Sequence, residues 1–267
     1  SISMVHARPF SFTDDSTNVA LPSFLAGESW ESSLKPPSNR KPLHDSIFLF
    51  KFRMLQSSWY QELFQSNRGP LVISSPYTWQ MCQKMQGWAE SLPKSLSTIS
   101  KILFELDLSY SYVYCLAPSN RMKTISPYAK SLIYESSINY IHSIATICQD
   151  PSNYVFYTFH DALKVYFVGS QFTSVLGENQ DYLLNITPPL NPPFDGCPQL
   201  LIIPRIGEQD KIEKSLLCIY QIKFTLETFG YRWDDCKVLL RSFEAQVENL
   251  VESLKLRKLA FSASSRI

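Results

Sequence analysis

The stretch from Ser75 to Pro118 constrains the fold most, because proline stops divide it into two amphipathic helices joined end to end. Ser75 supplies a cap, and Pro76 suits a first turn, where a missing N–H costs nothing. Met81, Met85, Trp88 and Leu92 then recur at steps of four, three and four, one apolar stripe of helical period. Pro93 ends this helix, since a proline drives the preceding residue out of the helical region. The second helix restarts near Ser95 on Leu96, Ile99, Leu103, Leu106, Tyr110, Val113 and Ala117, and Pro118 closes it. Short helices are stable only when their stripes are buried, so the remaining chain has to provide the opposing surfaces.

Composition points the same way. A chain of 267 residues is long enough to bury most of its apolar surface in one core. Hydrophobic residues at 45% and charged residues at 18% set it apart from disordered tails and charged coiled coils. Glycines number only 8, while the 17 prolines stand between helical patterns, the punctuation of an all-α protein. A net charge of +1 leaves no basic surplus to hold a phosphate backbone, so DNA contact is not expected of this chain. No apolar run reaches the roughly 18 residues of a membrane span; the most apolar stretch, Tyr154 to Phe172, is broken by His160, Asp161 and Lys164. No signal-peptide pattern opens the chain, which begins at Ser1 and reads as a piece of something longer. Cys82, Cys115, Cys148, Cys197, Cys218 and Cys236 lie far apart without metal-pair spacing, mostly on apolar faces, so a reducing compartment is expected.

Taken in order, Ile2, Met4 and Val5 read as a helix end, followed by an extended segment from Arg8 to Pro22 and a Ser/Pro/Lys loop over residues 28–42. A helix from a cap at Asp45 to Gln65 carries Phe48, Phe52, Leu55, Trp59 and Leu63. Ser126 and Pro127 open another, running to Gln149 on Tyr134, Ile138, Ile141, Ala145 and Cys148. From Tyr154 to Leu176 the pattern is apolar on more than one side, which predicts a central helix. Residues 177–208, crowded with prolines, read as a long loop. The end is an αα-hairpin. Ile212, Leu216, Ile219, Lys223 and Leu226 mark its first helix, with Gly230 as a left-handed cap. Asp234 or Asp235 caps the second, on Cys236, Leu239, Phe243, Val247, Leu250 and Leu254, with a basic group of Lys255, Arg257 and Lys258 and a fraying end from Ser262. The expected fold is one all-α domain over residues 1–267, a multi-helix antiparallel bundle or array of about seven main helices with a long Pro-rich loop.

Few residues invite chemistry. Asp14, Asp15 and Asn18, with Asp234, Asp235 and Glu244, resemble the two metal motifs of the all-helical terpene synthases, which hold a diphosphate through magnesium. Asp14 lies in an aperiodic segment and Asp234 at a cap position, so loop and cap are the readings favoured here. Gly27, Glu28, Ser29, Trp30 begins like a nucleophile elbow but has Glu31 in place of the second glycine. His6, His44, His142 and His160 show no metal spacing, and His160 and Asp161, as helix neighbours, point in different directions. Asn185, Ile186, Thr187 has the form of a glycosylation sequon. Tyr110, Tyr112, Tyr114, Tyr154, Phe156, Tyr157, Phe159, Tyr166 and Phe167 crowd two apolar helices. Such stripes fill a core more often than they line a pocket for a small apolar effector, and spacing alone does not decide.

The ordered punctuation resembles the regulatory middle region of fungal zinc-cluster transcription factors. Arg8, Pro9, Phe10, Asp14, Asp15, Val19, Leu21 and Pro22 are similar to that family's Gly-Arg-Pro segment, with Ala7 in place of the glycine. Gly87, Trp88, Leu92 and Pro93 resemble its tryptophan-bearing helix. Leu116, Ala117 and Pro118 fall where it closes the next helix, with Ala117 in place of the usual arginine. Gly230, Tyr231, Arg232 and Trp233 resemble its late Gly-x-x-Trp turn. The resemblance implies a nuclear, non-enzymatic regulator of RNA polymerase II promoters. DNA contact and zinc would reside in a six-cysteine module outside this chain, and a small-molecule effector or a coregulator protein would be the partner here. It carries over no catalytic, metal or DNA-binding residue.

Overall fold

The computed structural model describes residues 41–65, 69–71, 74–149, 158–184 and 208–264. Among them are eight α-helices and no strand: α1 Lys41–Tyr60, continued by a π-helical turn Gln61–Gln65, α2 Ser74–Glu90, α3 Thr98–Leu116 and α4 Pro127–Gln149. After these come α5 Phe159–Glu178, the short α6 Gln180–Leu184, α7 Glu208–Gly230 and α8 Asp235–Ser264. The all-α array expected from the proline punctuation is thus present. No helix among the described residues is long and apolar enough to cross a membrane.

Side-chain pairs establish an up-and-down course. Across α7 and α8, Lys223 meets Glu244 and Glu213 meets Lys258, so one number rises as the other falls and the helices are antiparallel. Across α4 and α5, Lys130 bonds Asn179 while Tyr134 stacks on Phe172, again antiparallel. Alternation makes next-but-one long helices, the short α6 set aside, parallel where they touch. Arg53 with Asp107 and Gln56 with Ser111 hold nearly constant offset between α1 and α3. Tyr166 with Ser242 and Ser170 with Gln246 do the same between α5 and α8.

The capping chemistry explains several helix starts. Ser126 Oγ accepts from the Ala129 amide at 3.2 Å, so the expected cap precedes Pro127. The α3 start lies later than expected: Ser97, not Ser95, accepts the Ser100 amide at 3.0 Å. Ser74 is already helical, which puts Ser75 inside the first turn of α2, and α1 begins at Lys41 rather than after Asp45. Helix runs to Glu178 and resumes from Gln180 to Leu184, so residues 177–184, apart from the cap residue Asn179, belong to α5 and α6 rather than to the loop; residues 185–207 lie outside those described. α8 likewise runs on to Ser264 instead of fraying at Ser262.

Gly230 is not a left-handed cap. It is the last residue of α7 without a positive φ, and a Cβ there would meet Lys237 Cγ at 3.3 Å. Close approach to Lys237, whose side chain would have to shift slightly to admit a Cβ, is what marks the position. Gly169 has the same role deeper in, where a Cβ would come within 3.0 Å of Phe243 and 3.2 Å of Ile222 and hold α5 away from α8 and α7.

The centre of the molecule is the second half of α3. Every residue from Tyr110 to Ala117 is buried, on all sides of the helix, because α1, α2, α4 and α5 all pack against α3. The central helix expected at Tyr154 to Leu176 is present as well, since α5 packs against α3, α4, α7 and α8. α5 starts only at Phe159, and its Tyr166 and Phe167 are half-buried, while α4 runs between α3, α5 and α7. The α3 stripe also starts differently: Ile99 is 58% exposed and Leu103 39% exposed. Phe104, one helical step on, takes the inward position instead, edge-on to Trp88 at 5.5 Å. After α3 the chain is pinned by Arg121, whose guanidinium pairs with Glu62 and whose carbonyl accepts the Leu71 amide at 3.0 Å.

Trp88 closes the seam between the first three helices. Its ring stacks on Phe52 of α1 at 4.1 Å, and its Nε1 donates to the Phe48 carbonyl at 2.9 Å. Met81 and Met85 on the same stripe are buried, whereas Leu92 lies half-buried in the turn beyond the helix. Trp88→Ala removes both the ring and the donor, so it should cost about 3–5 kcal/mol, a large share of the ~5–15 kcal/mol of a folded domain. Denaturant unfolding measures this directly, and a midpoint equal to wild type would contradict the seam.

Candidate functional site

A cleft of about 280 Å³ opens where α1, α3, α4 and α5 meet. Its apolar walls are Leu49 of α1, Leu103, Phe104 and Leu106 of α3, and Ile144 and Ile147 of α4. Its polar residues are Arg53, Asp107, Asp161 and Lys164, with Tyr140 also lining it. Two cation–carboxylate pairs thus border one apolar cavity.

The first pair follows from parallel packing. Arg53 and Gln56 share a face of α1 at a spacing of three, and Asp107 and Ser111 share a face of α3 at a spacing of four. Laid side by side, Arg53 Nη2 donates to Asp107 Oδ2 at 2.8 Å and Gln56 Nε2 donates to Ser111 Oγ at 2.7 Å. Arg53 Nη1 also donates to Gln56 Oε1 at 2.5 Å, and Ser111 Oγ returns its proton to the Asp107 carbonyl at 2.6 Å. Gln56 and Ser111 are fully buried, so this closed network satisfies groups that would otherwise be costly to desolvate.

The second pair begins at a helix cap. The Asp161 carboxylate accepts from the Thr158 amide and from Thr158 Oγ1, each at 2.9 Å, a capping box at the start of α5. Lys164 Nζ donates to the other carboxylate oxygen at 3.2 Å and lies 5.7 Å from the centre of the Tyr110 ring. Burial works against the charged form of Asp161, but Lys164 and the Thr158 donors outweigh it and hold the carboxyl below its ordinary value. Tyr140, almost completely buried, has its phenol pushed well above the ordinary range by desolvation and then by the nearby Asp161, Tyr110 and Asp107. It stays protonated and neutral across physiological pH.

Most of the described aromatic residues pack on one another rather than facing a cavity. Tyr114 stacks on Phe167 at 4.6 Å and meets Phe64 edge-on at 4.9 Å, while Tyr110 meets Tyr114 at 5.7 Å and Tyr140 at 6.1 Å. Tyr110, Tyr112 and Tyr114 are buried, and desolvation raises all three phenols. Phe159, Tyr166 and Phe167 are half-buried against this core, and Tyr154, Phe156 and Tyr157 lie outside the described residues.

Among the described residues, the acidic candidates Asp234, Asp235 and Glu244 are not brought together. Asp234 is fully exposed just ahead of α8 and pairs with Lys237 at 2.6 Å; Asp235 opens that helix. Glu244 pairs with Lys223 at 3.4 Å. It lies nearly three turns beyond Asp234, about 15 Å along the axis at 1.5 Å per residue. Among the described residues no group of three His, Cys, Asp or Glu could hold a metal ion. Asp14, Asp15, Asn18 and the Gly27 to Glu31 stretch lie outside the described residues, as do His6, the Asn185 sequon and Cys197. His142 is exposed and bonds Gln221 at 3.2 Å, and His160 is half-buried. Among the described residues Cys82, Cys115, Cys148, Cys218 and Cys236 form no disulfide.

Sequence reasoning missed the cleft. Thr158-x-x-Asp161 has the form of a capping box and was the available signal for one side of it. Nothing local marks Arg53 for Asp107, 54 residues away. Comparison of the chain with protein-family models, with curated proteins and with solved structures finds no match.

The capping box sets a pH signature. A carboxyl held below its unfolded value stabilises the fold fully above that value and loses the contribution as pH falls through the folded one. Asp161→Ala should therefore cost about 1 kcal/mol at neutral pH, the usual worth of a cap. The difference from wild type should persist down to the ordinary value of 3.8 and close below it. Urea midpoints of both proteins across that range check it, and a pH-independent difference would contradict the assignment.

Proposed function

We propose that this chain is the regulatory middle region of a fungal zinc-cluster transcription factor, acting in the nucleus on RNA polymerase II promoters. In this reading the chain is not an enzyme, and DNA contact and zinc belong to a module outside it. One observation carries the reading: the signature segments that lie among the described residues coincide with the joints of the helical array. Trp88 is the seam of α1, α2 and α3, with the Leu92–Pro93 break just after it. Leu116, Ala117 and Pro118 close the buried half of α3. Gly230 to Trp233 form the turn between α7 and α8, where Trp233 packs on Phe229 at 6.0 Å and Arg232 lies 4.8 Å from the indole centre. A family defined by such joints keeps an architecture, on which surfaces and pockets then vary.

The test places the chain between a heterologous DNA-binding domain and an activation domain in a fungal reporter strain. A regulatory domain should change reporter output at least about fivefold, the size of a coupling near 1 kcal/mol. Output equal to that of a fusion lacking the chain would count against the reading. Magnesium-dependent turnover of a prenyl diphosphate, lost in Asp14→Ala and Asp234→Ala, would replace it with the terpene-synthase alternative.

A further inference from the structure

We infer that the groove between α7 and α8 is the docking surface for a basic amphipathic helix of another protein, its apolar side on Leu217 and Tyr220 of α7 and its cations on Glu248 and Glu252 of α8. The first argument is that α7 has two apolar sides. Ile212, Ile219, Ile222 and Leu226 are buried against the core. Leu217, Tyr220, Phe224 and Tyr231 recur at helical steps on the far side, Phe224 half-buried and the other three exposed. A helix that is apolar all round ordinarily has both sides covered, yet among the described residues Leu217 stays 50% and Tyr220 63% exposed. Tyrosine is also a residue type on which binding energy concentrates.

The second argument is charge. A groove of about 470 Å³ runs beside this face, lined by Lys223 of α7 and by Glu244, Glu248, Val251, Glu252 and Lys255 of α8. The three glutamates fall at steps of four and so form one row along α8. Lys223 pairs with Glu244 at 3.4 Å, whereas Glu248 and Glu252 are exposed without an ion pair among the described residues. Lys255 balances one of these two, which leaves the groove an excess of negative charge. The third is register. With Lys223 level with Glu244 and Glu213 level with Lys258, the antiparallel offset brings Tyr220 level with Glu248 and Leu217 level with Glu252. Apolar side chains and carboxylates therefore run in step on the two walls, which suits a helix with one apolar and one cationic edge. A second copy seated by a twofold axis fits less well, because the same acidic row would stand on both sides of the contact.

This deepens the regulatory reading by giving its coregulator a chemistry, and rests on that reading only for its consequence. The experiment titrates the purified chain with a fluorescent peptide of two Leu-Lys-Lys-Leu-Leu-Lys-Leu heptads and, separately, with its counterpart carrying glutamate for every lysine. The lysine peptide should bind with a dissociation constant below about 10 μM, and the glutamate peptide at least tenfold more weakly. Glu248→Lys and Tyr220→Ala, both at exposed positions, should each weaken the lysine peptide at least tenfold. Glu105→Lys, the same change of charge at an exposed position of α3, should leave binding unchanged. Equal weakening by Glu105→Lys, unchanged binding by Tyr220→Ala, or no binding of the lysine peptide overturns the inference. So does a dimer that Tyr220→Ala dissociates, which would make a second copy the occupant. A lowered unfolding midpoint in Tyr220→Ala overturns it too, since the chain would then be covering the face itself. Peptide binding with no change in the reporter fusion would leave the groove standing and count against the regulatory reading instead. Reporter regulation without peptide binding would do the reverse.

Discussion

Four helices, α1, α2, α4 and α5, accommodate one helix half that has no side facing water. From Tyr110 to Ala117 each side chain of α3 is buried, so neighbours must close around the whole circumference. That requirement explains why α1, α2, α4 and α5 all contact α3, and why the chain alternates direction so regularly. The polar atoms inside this segment also need partners. Tyr112 donates its hydroxyl to Gln86 at 3.0 Å, and Ser111 is held within the Gln56 and Asp107 network. Tyr110, Tyr112 and Tyr114 each bury an aromatic ring there, a side chain that buries of the order of 150–250 Å².

The cleft is a by-product of the same arrangement. Four helices meeting around α3 leave a gap just N-terminal to its fully buried half, and the residues bordering that gap are charged because it opens to solvent. Charge there is managed in pairs. Arg53 neutralises Asp107 and secures two buried groups, while Lys164 neutralises a carboxylate that is already capping α5. Paired in this way, the four groups border one small cavity with each charge matched by an opposite one.

How much of this could be read from the sequence depends on how many faces each helix buries. α8 buries one, and Cys236, Phe243, Val247, Leu250 and Leu254 stand on it just as their spacing predicts. α3 buries all faces in its second half, so its apolar residues satisfy several stripes at once. Periodicity then chose Ile99 and Leu103, which are exposed, over Phe104. Gly230 misled for a related reason: the local rule assigns a glycine after a helix to a left-handed cap, whereas here it ends α7 without a positive φ, close against Lys237. Of the site, only the Thr158 to Asp161 cap was written locally. The match of Arg53 with Asp107 depends on α1 and α3 running side by side, a relation that no short window contains.

The most direct test of this account is native-state hydrogen exchange at the amides of Tyr110 to Leu116. If the array is built around that segment, these amides exchange only through global unfolding, with opening free energies at the top of the range for the whole protein. Opening there at energies below those of the outer helices α7 and α8 would contradict it, and would mean that the two ends of the fold stand without their shared centre.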